Sequence, residues 1–460
     1  MRTPRYSLAA ASLITMFVSE LESRAQRVGP TPQPPGIPVA PEEETPTPET
    51  WAIHGQTTFV EQWHPPFNSP YMGPNSLNSG SRSAETWDAT LYAGFRPWRG
   101  AEIWINPEID QGFGLSNTLG VAGFPSAEAY KVGERSPYYK MPRGFFRQTI
   151  NLGGEVKKLE PDLNQLGGSQ TADRIVLTIG KFSVVDVFDT NQYAHDPRND
   201  FLNWSIVEMG TFDYAADAWG FTYGLAAEWY QDWWTVRMGL FDGSLTPNST
   251  KLDPVFISQF QYVVELEERH QLWSEPGKLK LLAFLTRARL GRYADATAIS
   301  SATGEPADIA GVRDYRSRVG VGLNLEQALS DDLGLFARTG WSKGTIETYD
   351  FTDINATGSI GLSLKGSKWG RPNDTAGLGV AINAISSSAK AFFNAGGLGI
   401  LVGDGKLPKP GTEQILEAYY SLAVFSFAHV TADYQFINHP AYNLDRGPVS
   451  VFGVRLHAQF

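Results

Sequence analysis

Between Lys181 and Trp204 the chain reads KFSVVDVFDTNQYAHDPRNDFLNW, which brings Asp186, Asp189, His195, Asp196, Arg198 and Asp200 into one short stretch. Carboxylates around a histidine can move protons in hydrolysis. Oxygen ligands such as Asp186, Asp189 and Asp196 could instead hold a calcium ion, but their spacing lacks the alternate-position ladder of a calcium loop. A third use is structural, with the carboxylates and Arg198 fastening a loop by hydrogen bonds. The remaining chemistry is thin. Histidines stand at 54, 64, 195, 270, 429, 439 and 457, none four residues from another, and no HExxH occurs. There is no GxSxG elbow and no phosphate-binding GxxxxGK[ST] loop. The glycine-rich GGLGILVGDGK reads as a flexible surface tip. With Cys 0, disulfides and thiolate metal sites are excluded. Neither a catalytic centre nor a metal or other cofactor is indicated, so the stretch must be understood from the elements that hold it.

The chain opens MRTPRYSLAAASLITMFVSELESRAQ, with Arg2 and Arg5 ahead of a short apolar run and small residues before Gln26. That is the layout of a secretory signal over 1–25, too short to span a bilayer as a helix. Residues 26–50 are proline-rich and read as an extended periplasmic tether. No second linker follows, so 51–460 reads as one large unit. A net charge of −11 excludes a nucleic-acid partner, which needs a basic footprint.

A two-residue rhythm runs through this unit. In the last segment Phe452, Val454, Leu456, Ala458 and Phe460 alternate with Gly453, Arg455, His457 and Gln459. One face of such a strand is greasy and the other wet. Strands are predicted over 51–61, 86–95, 100–108, 144–156, 173–182, 218–230, 232–241, 255–267, 278–290, 312–326, 332–345, 358–366, 374–383, 412–425, 427–437 and 449–460. Many have the ~10 residues that a tilted strand needs to cross a bilayer, and long connections alternate with short ones. Aromatics gather near strand ends, among them Trp87, Phe95, Trp98, Trp229, Trp233, Trp234 and Trp341, as at a membrane interface. No apolar run beyond the signal reaches eighteen residues. The fold class is therefore all-β: a sixteen-stranded antiparallel transmembrane β-barrel with long extracellular loops and short periplasmic turns, in a bacterial outer membrane. The closing Phe460, on an amphipathic last strand, is expected to serve as the signal read by the barrel-assembly machinery.

If the apolar set faces lipid, the polar set lines the lumen, because a charge at the lipid midplane costs ~2–4 kcal/mol. It contains Glu102, Trp104, Glu108, Arg143, Arg147, Arg237, Arg287, Arg289 and Arg338, as well as His429 and His457 on adjacent strands. Guanidinium forks, carboxylates and an indole face suit sugar hydroxyls and C–H faces. Ser421 and His429 fall on the same wet side, which argues against a lipase on the outer wall. The opening stretch lies in the third long loop. There Asp200 is expected to cap a short helix in FLNWSIVEM, ended by Gly210, with Phe201, Trp204 and Val207 packing it on the wall.

The stretches KFSVVDVFDTNQYAHDPRNDFLNW, GTFDYAADAWGFTYG, FFRQTINLGGE and HPPFNSPYMGPNSL resemble the carbohydrate-selective porins of the OprB family. The resemblance covers the chain after the tether and implies a sixteen-stranded outer-membrane barrel passing monosaccharides such as glucose by passive, selective diffusion, without a cofactor. Its third long loop would form the constriction. Expected partners are small neutral sugars, outer-membrane lipid and the assembly machinery, with a homotrimer left open. A general non-selective porin is the alternative, followed by a barrel enzyme or anchor.

Overall fold

Alternation at period two dictates sheet, and in lipid a sheet must close so that no backbone amide is left at an edge. The computed structural model describes residues 48–129 and 131–460; the signal and all but the end of the tether lie outside them. Sixteen strands close into one antiparallel barrel in which each pairs with its sequence neighbours and β1 meets β16. They are β1 (Trp51–His64), β2 (Arg82–Phe95), β3 (Ala101–Gly112), β4 (Tyr138–Leu159), β5 (Gly168–Phe182), β6 (Thr222–Tyr230), β7 (Trp234–Asp242) and β8 (Phe260–Leu272). The second half comprises β9 (Glu275–Leu290), β10 (Asp314–Ser330), β11 (Leu333–Ser342), β12 (Ala356–Lys365), β13 (Thr375–Ala384), β14 (Glu413–Phe425), β15 (Ala428–Asn438) and β16 (Val449–Gln459). Among the described residues no helix is long and apolar enough to cross a membrane.

The expected strands are all present, with two late starts. β6 begins at Thr222 and β8 at Phe260, because 218–221 belong to the third long loop and 255–259 to the fourth. The short helices α1 (Trp204–Val207), α2 (Tyr293–Thr303) and α3 (Ser387–Asn394) lie in the long loops at one end, and α2 packs on α3. The outward face carries Leu91, Ile105, Leu225, Leu281, Val321, Ile360, Val380, Val454 and Leu456, all exposed as lipid contact demands. Exposed Trp51, Trp98, Trp233, Trp273 and Phe427 ring the short-turn end, and Trp63, Tyr139, Tyr262 and Trp341 ring the other.

At the seam, Phe460 N donates to Gly55 O at 3.0 Å and Gly55 N returns the bond to Phe460 O at 3.1 Å. The Phe460 ring lies where a Cβ on Gly55 would stand, 2.6 Å away. The first described residues are tied down: Glu49 N donates to Gly167 O at 3.0 Å and Arg96 Nη1 donates to Glu49 O at 2.8 Å. The segment GGLGILVGDGK is no free tip. Leu401 and Val402 are buried, Asn75 N donates to Gly403 O at 3.2 Å, and Asp404 accepts from Arg446, so the first, seventh and eighth long loops form one cap.

Candidate functional site: a lumen narrowed by the third long loop

The third long loop, 183–221, enters the barrel and lies against β8–β16, held by charged side chains of that wall. Arg338 is 2 % exposed; it donates to Asp189 Oδ1 at 3.2 Å, Ala194 O at 2.7 Å and Ile206 O at 2.9 Å. Asp189 also accepts from Asn324 at 2.7 Å and from Met209 N at 2.7 Å, and its own amide donates to Glu265 at 2.8 Å. Glu417 receives the amides of Leu202 and Asn203, while Arg455 donates to Pro197 O at 2.6 Å and Asp200 O at 2.7 Å. Orphan backbone groups of a loop inside a barrel need such partners. Arg237, on β7, joins Glu228 at 3.1 Å, Glu265 at 2.8 Å and Glu267 at 2.9 Å. Arg237 and Arg338 thus face inward as expected, but their donors are occupied by protein.

The opposite side stays open. A cavity of about 320 Å³ runs between the loop and β2–β4, with Phe351 at the long-loop end and Leu163 and Asn164 at the short-turn end. Arg143 forms a bidentate pair with Asp186, Nε at 2.8 Å and Nη2 at 2.6 Å, and its guanidinium lies 4.9 Å from the Phe221 ring centre. Lys140 meets Glu108 at 3.2 Å and Asp110 at 2.9 Å. Arg198 meets Glu128 at 2.9 Å, with Asp88 at 3.7 Å. His195, Tyr92 and the half-buried Trp219 and Phe221 complete the lining. Burial raises the Glu128 carboxyl to about 7 against the pull of Arg198. Burial would raise Asp196 too, but Arg198 and hydrogen bonds from the Arg198 amide and the Asn199 side chain hold it below the usual range.

A bulge builds this wall. Strand pairing of β3 with β4 runs Asn106 to Arg143 and then Glu108 to Lys140, so Met141 and Pro142 stand opposite Pro107 alone. The extra residue shifts the inward phase and aims both Lys140 and Arg143 at the lumen. Below them, Arg147 and Arg96 both pair with Glu102, and Arg147 also donates to Asn164 O of the β4–β5 turn. Trp104 is fully buried; its ring occupies the space over Gly94 and its Nε1 donates to Glu102 at 3.0 Å, so it offers a sugar no face.

Several expectations are corrected. Arg287 and Arg289 share the exposed face of β9 with Leu281 and Leu285 and point away from the lumen. The helix α1 is capped by Asn203, which accepts from Ser205 N, whereas Asp200 accepts the amides of His195 and Asp196, each at 3.1 Å. Glu208 ends α1, two residues before Gly210. Phe201 does pack as expected, edge-on to Phe336 and Tyr419. The three aspartates weighed for calcium are apart in function: Asp186 holds Arg143, Asp189 holds Arg338, and Asp196 accepts from Arg198 N at 2.9 Å. No group of three or more ligating side chains among the described residues could hold a metal ion. His429 and His457 are direct cross-strand partners, and Ser421 accepts from Thr431 at 3.1 Å. Lys140, Glu128, Trp219 and Phe221 escaped the strand pattern; Pro142 was the available signal for the bulge.

A closed sixteen-stranded barrel with a polar-lined cavity beside an inserted third loop defines an outer-membrane diffusion channel. The family model "Carbohydrate-selective porin, OprB family" matches residues 75–460, and the chain belongs to that family. Among solved structures, OprB of Pseudomonas putida is similar at 16% identity with a TM-score of 0.67, covering 89% of this chain and 94% of that one. The outer membrane channel DcaP of Acinetobacter baumannii aligns over 89% and 97% with 9% identity and a TM-score of 0.47. No curated protein matches the chain in sequence.

Proposed function

We propose that small neutral sugars, monosaccharides such as glucose among them, cross the outer membrane between the third long loop and the β2–β4 wall. The single observation that carries this is the passage itself: fixed ion pairs and half-buried aromatic rings converge on one cavity. The Arg143–Asp186 pair spends Nε and Nη2 and leaves further guanidinium donors for hydroxyls, while Asp186 and Glu108 can accept. Phe221 and Trp219 supply faces for C–H stacking. Because Arg143, Lys140 and Arg198 each sit beside a carboxylate, an ionic solute gains little from them and a neutral polyol exchanges water for protein partners. Binding must stay weak for the sugar to leave.

The test is conductance of the purified barrel in a planar bilayer, titrated with glucose and with a non-sugar polyether of similar size. Glucose should block in a concentration-dependent way and the polyether should not. Arg143→Ala should weaken the block about tenfold, the loss of one charged hydrogen bond of ~1.5–3 kcal/mol at the lower end. Conductance steps indifferent to glucose would leave a general pore.

A further inference from the structure

The two arginines that face away from the lumen raise a separate question. On β9 the outward positions Leu279, Leu281 and Leu285 are exposed and apolar, and Arg287 and Arg289 continue that face toward the long-loop end. From Glu275 to Arg287 the strand rises about 30 Å, taking ~3.3 Å per residue and a tilt of ~40°. That equals the hydrocarbon thickness of ~30 Å, so both guanidiniums stand at the outer interface, not among acyl chains.

They have no protein counter-charge there. Neither side chain makes an ion pair or hydrogen bond among the described residues; Arg287 only approaches the Tyr315 ring, at 5.8 Å. Across the ladder Arg287 faces Phe260 and Ser317, and Arg289 faces Tyr315. Asp314, the carboxylate on this rim, accepts from the Tyr315 amide at 2.7 Å. Exposed Tyr262, opposite Leu285, adds apolar surface one step along the face from Arg287.

Two unspent guanidinium forks above an acyl-facing wall complement an anionic headgroup whose chains run down that wall. The geometry points to a lipid-binding site on the outer wall at β8–β10, in which Arg287 and Arg289 hold the phosphate of an outer-leaflet lipid.

The probe is a fluorescent, bis-phosphorylated lipid A, titrated into the detergent-purified full chain beside the same lipid stripped of phosphate. The phosphorylated lipid should bind at least tenfold more tightly. Arg287→Gln with Arg289→Gln should abolish that difference, and the double lysine variant should retain most of it. Electrophoretic heat-modifiability reports whether each barrel is folded, and the lysine variant carries the test if the glutamine variant is not. Equal binding of both lipids by the natural protein, or a phosphate preference that survives the glutamine changes, overturns the site. Displacement of the lipid by millimolar inorganic phosphate would equally overturn it, since an ion and not a lipid would then be the ligand.

Discussion

Replacing Arg338 by Met isolates the attachment of the third loop. The guanidinium reaches Asp189 Oδ1 at 3.2 Å, Asp189 O at 3.1 Å, Ala194 O at 2.7 Å and Ile206 O at 2.9 Å, so one side chain fixes three points of the loop. Met matches the stem but leaves the Asp189 carboxylate buried with Asn324 and the Met209 amide as its partners. Breaking a buried pair on one side costs about 3–5 kcal/mol. If that loss falls on local detachment of the loop, the detached population rises by a factor on the order of 10² to a few times 10³, at 1.4 kcal/mol per tenfold. The barrel ladder is untouched, so the protein should still insert. Single-channel recording should show flicker to a larger conductance in Arg338→Met that the natural protein shows rarely. Identical conductance, noise and sugar block in the two proteins would refute the stapling argument.

Other outcomes follow from the same geometry. Glu128, raised to about 7 by burial, is neutral below that pH and charged above it, so anion permeability should rise as pH falls through about 7; Glu128→Gln should be flat. The same shift has a stability sign: the folded state binds the proton more tightly than the unfolded state, so this contribution is full at low pH and fades as pH rises from ~4.3 through 7. Gly120 has φ +88 and a Cβ there would stand 1.6 Å from Leu77 N, so Gly120→Ala should loosen the loop cap and cost about 1–3 kcal/mol, read by loop proteolysis. Deleting Phe460 removes two seam hydrogen bonds and the ring over Gly55, and outer-membrane levels should drop while export continues; unchanged levels would count against an assembly role.

The barrel was legible because lipid acts on one face of every strand and writes a two-residue rhythm into the chain. Arg143, Arg147, Glu102 and Glu108 were legible for the same reason. Lys140 was hidden by the bulge at Met141 and Pro142, which breaks the rhythm where the wall turns its charges inward. The cost of a charge in lipid predicts lumen positions for Arg287 and Arg289, but β9 extends past the hydrocarbon, where that cost falls away. The strand rhythm marks Arg338 and Arg237 as lumen groups, yet nothing in local pattern says which wall the third loop covers. That choice rests on contacts 132 to 149 residues apart, such as Arg338 with Ile206 and with Asp189.

The absence of cysteine allows the route itself to be tested with single introduced thiols. Phe221→Cys on the open side and Thr235→Cys, buried on the β7 wall, would each be treated with a bulky thiol reagent during bilayer recording. Sugar passage along β2–β4 predicts that modification at 221 cuts conductance sharply and that glucose slows the reaction, while 235 is left unaffected. Full conductance after complete labelling at 221 would contradict the assigned path.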